Sequence, residues 1–80
     1  MHQLTRLALR VLYNQRCIGG KHMRYDLLRK RWKNEPRDEQ RAVDQELRTS
    51  PLLLWKASLG EEHLSLNPRK VEEALRVIAA

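Results

Sequence analysis

Four long polar side chains recur at helical spacing in the middle of the chain. They share one narrow sector of a helical wheel and are Arg37, Arg41, Gln45 and Arg48. Guanidinium and amide groups form paired hydrogen bonds with the edges of bases, so this stripe predicts base recognition in a nucleic acid. Asp38 and Asp44 flank the stripe. They leave open the alternative of a solvated face on which these acids form ion pairs with the arginines.

A second group of positive side chains follows the first predicted helix and continues along the second, with Asp26 as its only acid. Like charges this close together repel one another, and an anionic partner would relieve the repulsion. Phosphate groups are such a partner, and they supply affinity without sequence information. The alternative is a charged surface whose arginine stems cover the edge of the core. The predicted phosphate contacts are Arg16, Lys21, Arg24, Arg29, Lys30, Arg31 and Lys33.

The distribution of charge along the chain supports a polyanionic partner. The net charge is +6, but residues 1–34 carry nine Lys and Arg against one acid, a formal charge of +8. Residues 35–80 carry seven Lys and Arg against nine acids, a formal charge of −2. Solubility alone requires less positive charge and no clustering, so we expect a nucleic acid as partner.

Residues that catalyse reactions or bind metals do not form a recognisable motif. Cys17 and the histidines His2, His22 and His63 lack the spacing of a metal site, and no phosphate-binding loop or nucleophile motif is present. The two later histidines would approach each other only if the turn near His22 lay beside the second strand, and hydrogen bonding is their expected role. The sequence therefore predicts a protein that is not an enzyme and binds no metal or cofactor.

Apolar periodicity predicts three helices, a β-hairpin and a closing helix. The helices are expected at 3–16, 24–33 and 36–49, with the first stopped by Gly19-Gly20 and the third begun by Pro36. A short extended link is expected at 21–23, and the hairpin strands at 52–56 and 63–66. Asn67 and Pro68 suit the start of the closing helix.

This order resembles a winged helix-turn-helix domain, an α+β fold that is mainly α. The resemblance implies a three-helix core with a helix-turn-helix, a two-stranded hairpin as the wing and a C-terminal helix. Lys56 would be a wing contact, although Glu61 and Glu62 make the wing acidic. The alternative is another small α+β domain. The predicted core consists of Leu4, Leu7, Val11, Leu28, Trp32, Val43, Leu47, Leu53, Leu64, Leu66, Leu75 and Ile78.

Two short motifs carry a second resemblance. The stretches Ile18-Gly19-Gly20-Lys21-His22 and His63-Leu64-Ser65-Leu66-Asn67-Pro68 resemble segments of small archaeal proteins with a helix–hairpin–helix layout. The resemblance spans roughly residues 18–75 and departs from the pattern at 27–39. That group has no settled activity, so the resemblance implies no function.

The chain is expected to be a single domain over 1–80, with no membrane segment and, given its lone cysteine, a cytoplasmic location. The leading hypothesis is double-stranded DNA binding, by a small regulator or by one part of a larger assembly. RNA binding is a variant of it. The rival hypothesis is a protein-interaction module without nucleic acid. Leu9 and Leu59 are predicted to be partly exposed, as contacts of a homodimer or a protein partner.

Overall fold

Four α-helices and a three-stranded antiparallel sheet form the fold, which a computed structural model describes over residues 1–80. The predicted class, α+β and mainly α, is confirmed. The helices are α1 (Gln3–Asn14), α2 (Tyr25–Arg29), α3 (Arg37–Thr49) and α4 (Val71–Ala79). The strands are β1 (Met23–Arg24), β2 (Leu53–Ser58) and β3 (Glu61–Leu66), and two 3₁₀ turns cover Lys30–Trp32 and Pro68–Lys70.

The first helix ends before the paired glycines that were expected to stop it. Its last turn is closed by two backbone hydrogen bonds, from Arg16 N–H to Tyr13 O and from Cys17 N–H to Leu12 O. This pair of bonds is the Schellman motif, which needs a left-handed residue just past the helix. Arg16 takes that conformation, with φ of 57°. The prediction of a helix to residue 16 was therefore wrong by two residues, because a cap and not Gly19-Gly20 ends it.

The sheet has one strand more than the predicted hairpin. Its strand order is β1-β3-β2, so β3 is central. The expected extended link at 21–23 contributes β1, in which Met23 pairs with Leu64 and Arg24 pairs with His63. A strand of two residues is too short to show an alternating pattern, so the sequence predicted only an extended segment. The hairpin is consequently part of a sheet whose edge strand β1 leads directly into α2.

Two helix boundaries differ from the predictions because the local hydrogen bonding changes. The segment 24–33 divides into α2 and the first 3₁₀ turn, so only five of its residues are α-helical. The closing helix also begins with a 3₁₀ turn, where the Asn67 side chain accepts a hydrogen bond from Arg69 N–H. Asn67 thus caps the segment as predicted, and Pro68 is its first residue.

The core lies between α1, α3, the sheet and α4, and it contains most of the predicted residues. Leu4, Leu7, Leu75 and Ile78 are only partly buried, at the rim. The prediction for Leu9 was wrong, because its side chain is 0% exposed. Leu59 is exposed, as expected. The core residues that the prediction missed are Ala8, Leu9, Leu12, Cys17, Tyr25, Leu52 and Ala74.

A polar network joins the start of α1 to α3. One carboxylate oxygen of Glu46 accepts hydrogen bonds from the Thr5 hydroxyl and from His2 N–H, and Thr5 is almost fully buried. The hydrogen bond from Thr5, followed by that from His2, holds the pKa of Glu46 below its ordinary value. Because the folded chain favours the ionised carboxylate, this contribution to stability is present at neutral pH and is lost as the pH falls through the folded pKa.

Replacing Glu46 by Gln is therefore expected to destabilise the protein at pH 7 and to matter less below about pH 4, near the ordinary range of carboxyl groups. Urea unfolding of both proteins between pH 3 and 7 measures the difference. Glu35→Gln is the matched control, since Glu35 is exposed and forms no ion pair. A penalty for Glu46→Gln that is constant across this range would contradict the role of the ionised carboxylate.

Candidate functional site

A cleft with a volume of about 700 Å³ lies between α2 and α3, on the outer side of the molecule. It collects all four residues of the predicted base-reading stripe and one predicted phosphate contact, Arg29. The stripe reaches the surface because Val43 and Leu47 point the opposite side of α3 into the core, where both are 0% exposed. The lining residues are Tyr25, Arg29, Trp32, Arg37, Gln40, Arg41, Asp44, Gln45 and Arg48.

Asp44 is the only acid that lines this cleft, and its carboxylate already accepts hydrogen bonds from other residues of the protein. The Tyr25 hydroxyl donates a hydrogen bond of 2.7 Å to Asp44 Oδ1, and Arg48 Nε lies 3.0 Å from Asp44 Oδ2. Burial of the phenol, together with this bond to a carboxylate, raises the pKa of Tyr25. Asp44 therefore serves internal contacts and does not cancel the charge of Arg37 or Arg41.

Arg48 is held in place by contacts on several sides. Its Nη1 and Nη2 donate to the Glu62 carboxylate at 2.6 and 2.9 Å, and this pairing keeps the pKa of Glu62 below its ordinary value. The guanidinium carbon also lies 4.7 Å from the centre of the Trp55 ring and 5.4 Å from that of Tyr25. Arg48 thus links α3 to the hairpin, and it has less freedom to meet a ligand than its neighbours in the stripe.

Arg24 is the other predicted nucleic-acid contact that forms ion pairs with carboxylates. It forms a two-pronged pair with Asp26, at 3.1 and 2.7 Å, and its Nε lies 2.6 Å from Glu61 Oε2. Successive residues of a strand point to opposite faces, so Glu61 and Glu62 reach arginines on opposite sides of the sheet. The end of the hairpin is therefore attached to both β1 and α3 by ion pairs.

The remaining predicted phosphate contacts are exposed and form no ion pair. Arg29 faces the cleft, while Lys30, Arg31 and Lys33 lie on the same short segment, around the first 3₁₀ turn. Arg16 and Lys21 lie in the connection after α1 and do not line the cleft. Of the predicted phosphate contacts, the structure therefore brings only Arg29 into the cleft with the α3 stripe. Lys30, Arg31 and Lys33 follow it in the chain and do not line the cleft.

The predicted wing contact lies on the far side of the sheet from α3. Lys56 pairs with His63 across the hairpin, whereas Trp55 faces α3 and donates a hydrogen bond from Nε1 to Leu47 O at 3.1 Å. Because neighbouring residues alternate, Lys56 and the α3 stripe point to opposite sides. Lys56 forms no ion pair and is exposed.

The histidines just before β1 and in β3 do come together. The rings of His22 and His63 are 4.7 Å apart in an edge-to-face arrangement, because β1 pairs beside β3. No three His, Cys, Asp or Glu side chains are grouped so that they could hold a metal ion. Cys17 is buried and unpaired, and its burial raises the pKa of the thiol, which lowers its reactivity.

Sequence reasoning missed the residues that shape the cleft without carrying its charge. Tyr25 and Trp32 form its floor; the sequence predicted Trp32 only as a core residue and did not include Tyr25 in the core. Gln40 donates from Nε2 to Lys33 O and Glu35 O, at 3.2 and 2.7 Å, and so fixes the connection between the two helices. Those bonds depend on the path of the connecting loop, for which the sequence has no periodic signal.

Comparison with known proteins finds no matching family model, no similar curated protein and no similar solved structure. No helix of the chain combines the length and apolar composition that crossing a lipid bilayer requires. The cleft and its charges are therefore the basis for a function.

Proposed function

We propose that the chain is a winged-helix domain that binds double-stranded DNA through α2 and α3. The order of elements supports this fold. The strand β1 leads into α2, α3 follows after a short connection, and the hairpin of β2 and β3 comes next and pairs with β1. In that scheme α2 and α3 are the helix-turn-helix, α3 is the helix that enters the major groove, and the hairpin is the wing.

One observation carries the proposal. The outer side of α2 and α3 brings Arg29, Arg37 and Arg41 into one cleft without a carboxylate partner for any of them. Carboxylates pair with Arg24 and with Arg48, which lines the same cleft and links α3 to the hairpin. Unpaired guanidinium groups that converge on a cleft repel one another, and an anion between them removes that cost.

The stripe on α3 favours duplex DNA over RNA. An exposed α-helix, about 10–12 Å across, fits the major groove of B-DNA. The major groove of A-form RNA is too deep and narrow to be read in this way. Gln45 lies in the stripe between Arg41 and Arg48, and an amide can form two hydrogen bonds with adenine. We assign phosphate contacts to Arg29 and the basic segment after it, and base contacts to the α3 stripe.

The acidic residues of the wing do not oppose this proposal. Glu61 and Glu62 would repel phosphates if they were free, but each is bonded to an arginine at 2.6 Å. Their charges are therefore neutralised by ion pairs within the protein. A domain of this size would serve as a small regulator or as the DNA-binding part of a larger assembly.

Binding to a labelled random-sequence DNA duplex at several salt concentrations tests the proposal. We expect the logarithm of the binding constant to fall linearly with the logarithm of salt, with a slope of about −0.9 for each phosphate contacted. Replacing Lys30, Arg31 and Lys33 by Ala is expected to flatten that slope and weaken binding at every sequence. An RNA duplex of the same length should bind more weakly.

Two results would overturn the proposal. Absence of duplex binding at low salt excludes DNA as the partner and supports the rival protein-interaction module. Tighter binding to the RNA duplex than to DNA would show that α3 does not act in a major groove. Weaker binding by the variant with alanine at Lys30, Arg31 and Lys33 supports the proposal only if that variant is folded. Circular dichroism measures whether it is.

A further inference from the structure

The turn of the hairpin contains a residue that its backbone does not favour. Leu59 and Gly60 form a two-residue turn, since Ser58 pairs directly with Glu61. Both turn residues have positive φ, of 52° and 78°, which fits a type I′ turn. Asn, Asp or Gly normally occupies the first position, because the left-handed conformation strains other side chains. Leucine at this place therefore costs stability that asparagine would not.

The side chain of Leu59 also contributes nothing to the core. It is 98% exposed, the largest exposed fraction among the large apolar residues of the chain. Its neighbours in the chain, Ser58, Gly60 and Glu61, add no apolar side chain, so Leu59 is the only large apolar residue of the turn. An unfavourable backbone and an isolated apolar side chain both work against the folded monomer. A contact with another molecule is the best explanation for a leucine at this position.

The turn lies beside the arginine cleft. Gly60 lines a smaller cleft with Tyr25 and Arg29, and these two residues also line the cleft between α2 and α3. Arg29 is thus common to both clefts and lies beside the turn. The carboxylates that also line the smaller cleft, those of Asp26, Glu61 and Glu62, are each ion-paired with an arginine. The ion pairs of Glu61 and Glu62 hold the residues that directly follow the turn, so the turn projects from a fixed support.

The isolation of Leu59 identifies the kind of partner. A stable contact with a protein or a second copy buries about 1,200 Å² or more, most of which other apolar residues would have to supply. A duplex offers a narrow apolar slot between adjacent base pairs, next to the phosphates that attract the arginines. Single apolar side chains that enter this slot from the minor groove unstack the bases and kink the DNA.

Resting on the DNA binding proposed above, we propose that Leu59 is an apolar wedge that enters the minor groove and kinks the bound duplex. When α3 lies in the major groove, Arg29 meets the phosphate backbone at its edge. The turn beside Arg29 then reaches past that backbone to the adjacent minor groove. The wedge adds affinity and deforms the DNA without adding a phosphate contact.

Leu59→Asn tests the wedge, because asparagine suits the turn and cannot fill an apolar slot. We expect the variant to unfold at the same or a higher urea concentration than the wild type. Its affinity for duplex DNA should fall about tenfold, while the salt dependence keeps its slope because no phosphate contact is lost. Energy transfer between dyes on the two DNA ends should report a bend of about 20–90° with the wild type and a straighter duplex with the variant.

Leu54→Thr is the matched control, since it removes another exposed leucine from the same hairpin and suits a strand. It should bind and bend DNA as the wild type does. If Leu59→Asn also does so, the wedge is wrong and DNA binding stands. If the wild type binds no duplex, the proposed function fails as well. Self-association that Leu59→Asn alone abolishes would assign the turn to a second copy and overturn the wedge.

Discussion

Changing Arg29, Arg37 and Arg41 together to alanine is expected to remove most of the affinity for duplex DNA. Each guanidinium contributes a hydrogen bond between charged groups, worth about 1.5 kcal/mol or more. The combined loss is then about a thousandfold in binding constant. The salt slope should become less negative by only about 0.9, because Arg29 is the one residue of the three that is assigned to a phosphate. Fluorescence anisotropy across a salt series measures both quantities.

The same variant is expected to fold normally. All three arginines are exposed and none forms an ion pair, and surface substitutions of this kind usually change stability by less than about 0.5 kcal/mol each. The matched control replaces Arg10, Arg69 and Arg76, three exposed arginines that lie outside α2 and α3, with the same loss of charge. Equal weakening of binding by the two triple variants would contradict a localised interface.

Leu9→Ala is expected to be the most damaging of the single substitutions considered. The side chain of Leu9 is 0% exposed, and truncating a buried leucine costs about 2–5 kcal/mol. That is a large part of the total stability of a small domain, about 5–15 kcal/mol. Urea unfolding should show the loss as a much lower midpoint.

Leu59→Ala is the control for this change, because it deletes the same atoms from a side chain that is 98% exposed. Its stability should lie within about 0.5 kcal/mol of the wild type. If the two alanine variants unfold at the same urea concentration, the burial of α1 described above is wrong.

The error at Leu9 shows where periodicity fails to predict burial. A repeating apolar pattern identifies the face of a helix that meets one neighbour. The first helix has neighbours on several sides, since α3, β3 and α4 all pack against it. Its buried arc therefore extends beyond Val11 and Leu12 to include Leu9 and even Thr5. A helix that is surrounded in this way resembles a one-sided amphipathic helix in sequence, and only the tertiary arrangement distinguishes them.

The shared face of the α3 stripe could be predicted because it depends only on the geometry of one helix. Arg37, Arg41 and Gln45 share a sector of α3 whatever that helix packs against. The ion pairs of Arg24 with Glu61 and of Arg48 with Glu62 could not be predicted in the same way. They depend on the register of the hairpin and on the position of β1, which bring together residues that are 14 or more positions apart.

The alternating carboxylates of the hairpin restrict how its length can change. Glu61 and Glu62 face their arginines only because side chains alternate along β3, so that Glu62 lies on the same face as Leu64 and Glu61 on the opposite face. Deleting one residue between Glu62 and Leu64 would turn each acid away from its arginine and towards the other side. Variation in the length of the hairpin is therefore tolerated at the turn, around Leu59 and Gly60, and is destabilising within the strand.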